Sequence, residues 1–178
     1  MNEEQEGQAR QIKRLVEEII GLSEQCPPPE DYYREFLKRV LLALEPAAGA
    51  VWIRNPQGNF LLQYQMNIQQ VGLDASEEGQ RSHDELIRAA ASKAERMIVP
   101  PHSNSAEAGD DAPASGNPTD YVILIVPILV DEQVAGLIEV WQDPHLNQNA
   151  LRNQAQFMIQ VNALASVYTR NYRLRQSP

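Results

Sequence analysis

The side chains that could support metal or thiol chemistry are few and lie far apart in the chain. Cys26 is the single cysteine and directly precedes three prolines. None of His83, His102 and His145 has a second ligand four residues away, the spacing that places two metal ligands on one helical face. We therefore predict no metal site, and we expect His83 and His145 to be surface residues.

Pairs of carboxylates are equally poor candidates for catalysis. Asp84 and Glu85 are adjacent, and adjacent residues on a helix do not face each other. The chain contains neither a glycine-rich phosphate loop of the Walker type nor a Gly-x-Ser-x-Gly motif. The sequence therefore predicts a protein that is not an enzyme and has no catalytic residues.

One carboxylate, Glu139, stands out because it interrupts an apolar run. Alternation along a strand places it on the same face as Trp141. Gln63 and Gln65 lie on one face of an earlier predicted strand. If this face and the face with Glu139 and Trp141 are on the same side of the sheet, the four side chains would lie on that side together. A few polar groups among aromatic ones are typical of a ligand pocket, and equally of a partly hydrated sheet face. The predicted ligand-binding residues are Trp52, Gln63, Gln65, Glu139 and Trp141, and no cofactor is predicted.

The elements that must position these residues follow from hydrophobic periodicity. Apolar residues that recur every three or four positions predict four helices: residues 8–23, Pro29 to just before Pro46, Ser82 to about Met97, and about 28 residues from Asn147. The third helix is expected to begin at a capping box formed by Ser82 and Glu85, so residues 72–82 are predicted to be a loop.

Four strands are predicted to form two hairpins: residues 48–54 with 60–66, and 121–130 with 134–142. The third strand is apolar on both parities, which indicates that both of its faces are covered. Pro127 predicts an edge position or a bulge, and Gly136 predicts a close backbone approach. Residues 100–119 show no apolar period, which is typical of either a lid or a disordered insertion.

These elements predict an α+β protein. Helices flank an antiparallel sheet, and the long N- and C-terminal helices are expected to pack together. We divide the chain into an N-terminal helix (1–26), an α+β core (27–146, with a flexible loop at 100–119) and a long C-terminal helix (147–178).

Three sequence blocks, Ala48–Ile53, Ile125–Val130 and Val134–Val140, resemble the GAF domain family, with the related PAS fold as the nearest rival. The resemblance implies a small-molecule pocket in front of the sheet and, in many members, dimerisation through terminal helices. The Asn-Lys-Phe-Asp-Glu signature of cyclic-nucleotide binding is absent. So is a cysteine in the loop and helix where many bilin-binding members carry one. Cys26 is then either an upstream bilin attachment point or an incidental thiol.

Composition restricts the partners. Lys and Arg number 15 and Asp and Glu number 24, which gives a net charge of −9 over 178 residues and argues against a nucleic-acid partner. No apolar run reaches the roughly 18 residues that a membrane span needs. The acidic N-terminus lacks the apolar segment of a signal peptide, so we predict a cytoplasmic protein.

Two functions are compatible with these observations. The first is a non-enzymatic regulatory domain that senses a small molecule and couples it to the helices of a homodimer. The alternative is a ligand-free dimerisation or scaffold module. The C-terminal helix ends close to the end of the given sequence and carries basic residues there, which is compatible with a fragment of a longer protein; the sequence leaves this open. If the chain is a fragment, it would reach a membrane only through a downstream segment. The ligand and any output domain are not defined by the sequence.

Overall fold

The computed structural model describes residues 2–103 and 116–176. Four helices, five strands and two short 3-10 turns are present in these ranges. The helices are α1 (Glu3–Gln25), α2 (Pro29–Leu44), α3 (Glu77–Lys93) and α4 (Gln148–Gln176). The strands are β1 (Ala48–Arg54), β2 (Phe60–Met66), β3 (Met97–Val99), β4 (Val122–Val130) and β5 (Gln133–Gln142). The 3-10 turns, Ile68–Val71 and Leu73–Ala75, lead into α3.

The five strands form one antiparallel sheet in the order β2-β1-β5-β4-β3. Both predicted hairpins are present, and β1 joins them by pairing with β5. The β4–β5 turn contains Asp131 and Glu132, both with positive φ. A two-residue turn in which both residues have positive φ has a backbone twist that matches the right-handed twist of the flanking strands.

Both faces of the sheet are covered, which confirms the predicted α+β class. One face carries α1, α2 and α4 and a core that includes Phe36, Leu124 and Met158. The other face carries α3 and the 3-10 turns over a core that includes Leu86 and Trp141. Alternate apolar residues of β4 belong to different cores: Leu124 and Val126 pack in the first core, and Ile123 and Ile125 in the second. Both faces of β4 are therefore covered, as the sequence predicts.

Tyrosines join the α1–α2 junction to α4. The ring of Tyr168 stacks on that of Tyr32 with centroids 3.6 Å apart. The Tyr168 hydroxyl donates to the Pro27 carbonyl, and the hydroxyls of Tyr33 and Thr169 lie 2.8 Å apart. Burial raises the pKa of both Tyr32 and Tyr33 above the usual range. The two ends of the chain are therefore packed together through a buried aromatic cluster.

The predicted start of the third helix is wrong. Helix α3 begins at Glu77, and its cap is Ser76, whose Oγ accepts a hydrogen bond from the Gly79 N–H at 2.9 Å. Ser82 lies inside the helix, so its hydroxyl is not needed as a cap. The helix also ends earlier than predicted, because Ala94 adopts a left-handed conformation (φ 56°) and terminates it.

The short strand β3 was missed because Met97 was assigned to the preceding helix. Three residues are too few to show a period of two. A lid or a disordered insertion was predicted for residues 100–119. The central part of this segment, residues 104–115, lies outside the described residues. Its C-terminal end is held by Asn117, which is buried and donates to the carbonyl oxygens of Val99 and Pro100 at 3.1 Å each.

Pro127 and Gly136 occupy the positions that their chemistry predicts. β3 pairs only with residues 123–125 of β4, so Pro127 lies on the stretch of β4 that has no strand on that side among the described residues. A Cβ at Gly136 would lie 2.7 Å from the carbonyl oxygen of Trp52. Glycine is therefore required there by close backbone approach.

Candidate functional site

The candidate site is built around the carboxylate of Glu139, at the centre of β5. Its Oε1 accepts a hydrogen bond from Trp52 Nε1 at 2.9 Å, and its Oε2 lies 2.7 Å from His83 Nε2. Glu139 has no exposed surface and His83 is 2% exposed. A carboxylate this deep needs such partners, since an unpaired buried charge is strongly unfavourable. We call Trp52, His83, Glu139 and Trp141 the Glu139 cluster.

The prediction that His83 is a surface residue is wrong. Because α3 begins six residues earlier than expected, His83 lies in its second turn rather than its first. It shares the sheet-facing stripe with Leu86, Ile87 and Ala90, at the three- and four-residue spacing of one helical face. Sequence reasoning missed His83, although this spacing in the printed sequence was a signal for it.

Opposing effects determine the protonation of His83. Burial alone lowers the pKa of the imidazole, because it disfavours the charged form. The charge and hydrogen bond of Glu139, with a smaller effect of Asp84, outweigh burial, so the pKa of His83 lies above its usual value. When the ring is protonated, it forms a buried ion pair with the carboxylate.

Two indole rings enclose the imidazole. The ring of His83 lies 5.8 Å from that of Trp52 and 5.8 Å from that of Trp141, measured between centroids. Trp141 is fully buried, and within the described ranges its Nε1 has no hydrogen-bond partner. The cluster therefore satisfies its carboxylate internally and retains one unused donor.

The structure brings three of the five predicted residues together: Trp52, Glu139 and Trp141. Gln65 faces the same way as Glu139, because both pair with Ala50, one on each side of it. Gln65 is exposed, however, and its Oε1 accepts from the Ile68 N–H at 3.2 Å, which supports the turn after β2.

Gln63 falls where the register between β1 and β2 shifts. Val51 pairs with Tyr64, whereas the next residue, Trp52, pairs with Leu62, so Gln63 is left without a paired residue on β1. The bulge interrupts the alternation on which the prediction for Gln63 depended. Its half-buried side chain is not among the hydrogen-bonding partners of the Glu139 cluster.

Residues 2–103 and 116–176 hold no group of three or more His, Cys, Asp or Glu side chains arranged to bind a metal ion. In the same ranges no helix combines the length and apolarity that a membrane span requires.

Comparison with solved structures identifies the fold. No family model matches the sequence, and no curated protein matches it either. The structure is similar to the GAF domain of nlh2 from A. aeolicus in an inactive state (TM-score 0.67, 17% identity, 95% of this chain and 99% of that one). It is also similar to the GAF domain of the Acinetobacter phosphoenolpyruvate-protein phosphotransferase (0.61, 16%, 98% of each chain).

A third similar structure is the phycoerythrobilin-bound GAF domain of a cyanobacterial phytochrome (0.63, 10% identity, 95% of this chain and all of that one). The chain therefore has the GAF-domain fold, as the three sequence blocks indicated. At these identities the likeness defines the architecture alone.

Proposed function

We propose that this chain is a non-enzymatic GAF-type regulatory domain that acts through association of its terminal helices, with the pocket side of the sheet closed by its own side chains. The observation that carries the proposal is the internal pairing of Glu139. Its two oxygens are already bound by Trp52 and by His83, and His83 belongs to α3, the helix that covers this face of the sheet. A ligand at this position would have to displace a buried ion-pair partner.

Exposed apolar residues on the terminal helices support association. Ile12 and Ile20 are 38% and 39% exposed and lie eight residues apart on α1, which places them on neighbouring parts of one helical face. Leu15 and Ile19 of the same helix are buried in the core. The apolar stripe of α1 is thus wider than the intramolecular contact uses, as expected if a second copy covers the remainder.

The aromatic cluster supports a route from these helices to the core. Tyr168 of α4 stacks on Tyr32 of α2, and the Ser23 and Tyr32 hydroxyls lie 2.9 Å apart, which connects α1 to the same group. A change in how two copies align their terminal helices would therefore act on a buried, hydrogen-bonded junction. The regulatory role and the cytoplasmic location are part of this proposal.

Light scattering coupled to size exclusion tests the proposed association. We expect the wild type to elute as a dimer and the double variant Ile12→Glu/Ile20→Glu to elute as a monomer. Gln11→Glu/Gln25→Glu adds the same charge at exposed polar positions of α1 that are not three or four residues from Ile12 or Ile20, and should remain dimeric. A dimer that survives the isoleucine substitutions would exclude this face of α1 as the interface.

A second candidate function, sensing of a small molecule at the Glu139 cluster, is favoured by Trp141. Its Nε1 donor is buried without a partner in the described part of the chain, next to a carboxylate that a ligand with a donor group could bind. A ligand that supplies an acceptor to Trp141 and a donor to Glu139, in place of His83, would satisfy the Trp141 indole N–H and the carboxylate together. Glu139→Gln should then abolish retention of a small molecule by the purified protein.

A further inference from the structure

A groove lies between α4, the end of β4 and the segment that follows α3, on the flank of the helix layer. Its walls include Val126, Leu129, Ile159, Ala163 and Val167, and its volume is about 790 Å³. Small-molecule sites in proteins commonly measure about 300–1,000 Å³ and are mostly apolar. The groove is therefore large enough to hold an organic compound.

The apolar walls are open to solvent. Leu129, Ile159 and Val167 are 40%, 37% and 48% exposed, although the opposite flank of α4 is buried against the core through Val161 and Tyr168. Apolar side chains converging on one concavity gain free energy when a ligand removes them from water. The groove faces the sheet edge and α4, whereas the Glu139 cluster lies beneath α3 on the other face.

The polar floor of the groove offers acceptors only. Asn162 is 2% exposed, and its Nδ2 donates to the carbonyl oxygens of Val126 and Pro127 at 3.0 and 3.1 Å. These two bonds fix the orientation of the amide, and its Oδ1 has no partner in the described part of the structure. The Ser166 hydroxyl donates to the Asn162 carbonyl at 2.9 Å, which leaves its oxygen lone pairs available.

An added peptide strand is a poor occupant of the groove. Pro127 has no N–H to donate, and the side chain of Asn162 already occupies two carbonyl oxygens of this stretch of β4. Strand addition depends on free backbone donors and acceptors along an edge. The chemistry of the floor instead matches a compact molecule that brings its own hydrogen-bond donor.

We propose that this groove binds a small apolar ring compound that carries an N–H or O–H donor, with the donor directed at the Ser166 hydroxyl oxygen. The ring packs between Leu129, Ile159 and Val167. Arg96 and Arg170 lie at the rim, and Arg170 is 3.4 Å from Asp131. The site goes beyond the proposed association, whose test uses the Ile12 and Ile20 face of α1. The groove shares no residue with that face, so each proposal can fail without the other.

Two isosteric probes test the donor requirement directly. Indole and benzothiophene have similar shapes and apolar surfaces, but only indole has an N–H donor. In amide NMR titrations we expect indole to shift the resonances of Ala163, Ser166 and Val167 and of the Asn162 side chain. One hydrogen bond predicts that indole binds roughly 2- to 10-fold more tightly than benzothiophene.

Variants distinguish the groove from nonspecific binding. Ala163→Trp fills the groove from an exposed helical position and should abolish the shifts, whereas Gln160→Trp, at a neighbouring exposed position outside the groove, should retain them. Ser166→Ala should bring the two probes to nearly equal affinity while both still bind. Equal affinities in the wild type, or indole shifts that persist in Ala163→Trp, would overturn the proposal.

Discussion

The carboxylate of Glu139 and the imidazole of His83 meet at 2.7 Å between β5 and α3, where neither side chain is more than 2% exposed. A central strand and the helix that covers it are thus joined by a charge pair rather than by apolar packing alone. The Nε1–H of Trp52 supports the same carboxylate from β1. This arrangement occupies the sheet face on which the family resemblance places a ligand pocket.

Removing one partner of this pair should destabilise the fold strongly. Glu139→Leu leaves His83 and Trp52 Nε1 buried without an acceptor, and breaking a buried pair in this way costs about 3–5 kcal/mol. The double variant Glu139→Leu/His83→Leu should recover part of that loss, because no charge then remains unpaired. Urea unfolding measures the stability of both variants, and Glu17→Leu, at an exposed position within α1, serves as a control with a change near zero. A single variant as stable as the wild type would contradict the pairing.

The raised pKa of His83 predicts how stability depends on pH. A group that binds its proton more tightly in the folded state contributes stability that is fully present below its unfolded pKa, about 6.5. That contribution is lost as pH rises through the folded value, which Glu139 and Asp84 hold higher. The free energy of unfolding should therefore fall as pH increases across this window.

Unfolding curves at several pH values between about 6 and 9 check this slope. The decrease in the free energy of unfolding with rising pH should disappear in His83→Gln. It should persist in His145→Gln, which replaces an exposed histidine. An identical slope in the wild type and His83→Gln would show that other groups cause it.

Two glycine substitutions should have opposite signs. Gly136→Ala places a Cβ 2.7 Å from the Trp52 carbonyl oxygen and 2.9 Å from Ile53 Cδ1, so β1 and β5 must separate, at a cost of about 1–3 kcal/mol. Gly21→Ala in α1 meets no atom within 4 Å and should stabilise the helix by about 0.5–1 kcal/mol. Thermal melts of the two variants compare them directly. A neutral Gly136→Ala would contradict the close approach.

The hydroxyl contact between α2 and α4 should contribute modestly. Tyr33→Phe removes one partner of the 2.8 Å contact with Thr169 and should cost about 0.5–1.5 kcal/mol. A double-mutant cycle with Thr169→Val separates this contact from the loss of packing. Additive effects in the cycle would mean that the two hydroxyls contribute nothing to each other.

Period-two alternation accounts for the part of the site that could be predicted from the sequence. Glu139 and Trp141 had to share a face wherever β5 lay. Trp52 is brought beside them by the pairing of β1 with β5, which joins strands of two different hairpins. The same reasoning failed at Gln63, because the bulge after Val51 interrupts the alternation. A one-residue bulge leaves no mark in the composition of a short strand.

His83 shows why the remainder of the site was not predicted. The sequence analysis placed the helix start at Ser82, whereas the structure caps the helix at Ser76, and the position of this start determines whether His83 faces solvent or the sheet. Packing decides the question, because α3 has to cover the sheet face that includes Trp141. Local capping signals carry no information about that tertiary contact.

Native mass spectrometry of the freshly purified chain tests the central claim most directly, because it reports subunit number and bound mass together. The account predicts a dimer whose mass is that of two bare chains. A bare monomer would contradict association through the terminal helices. A retained small molecule that is lost in Glu139→Gln would contradict the closed Glu139 cluster and establish the sensing function in its place.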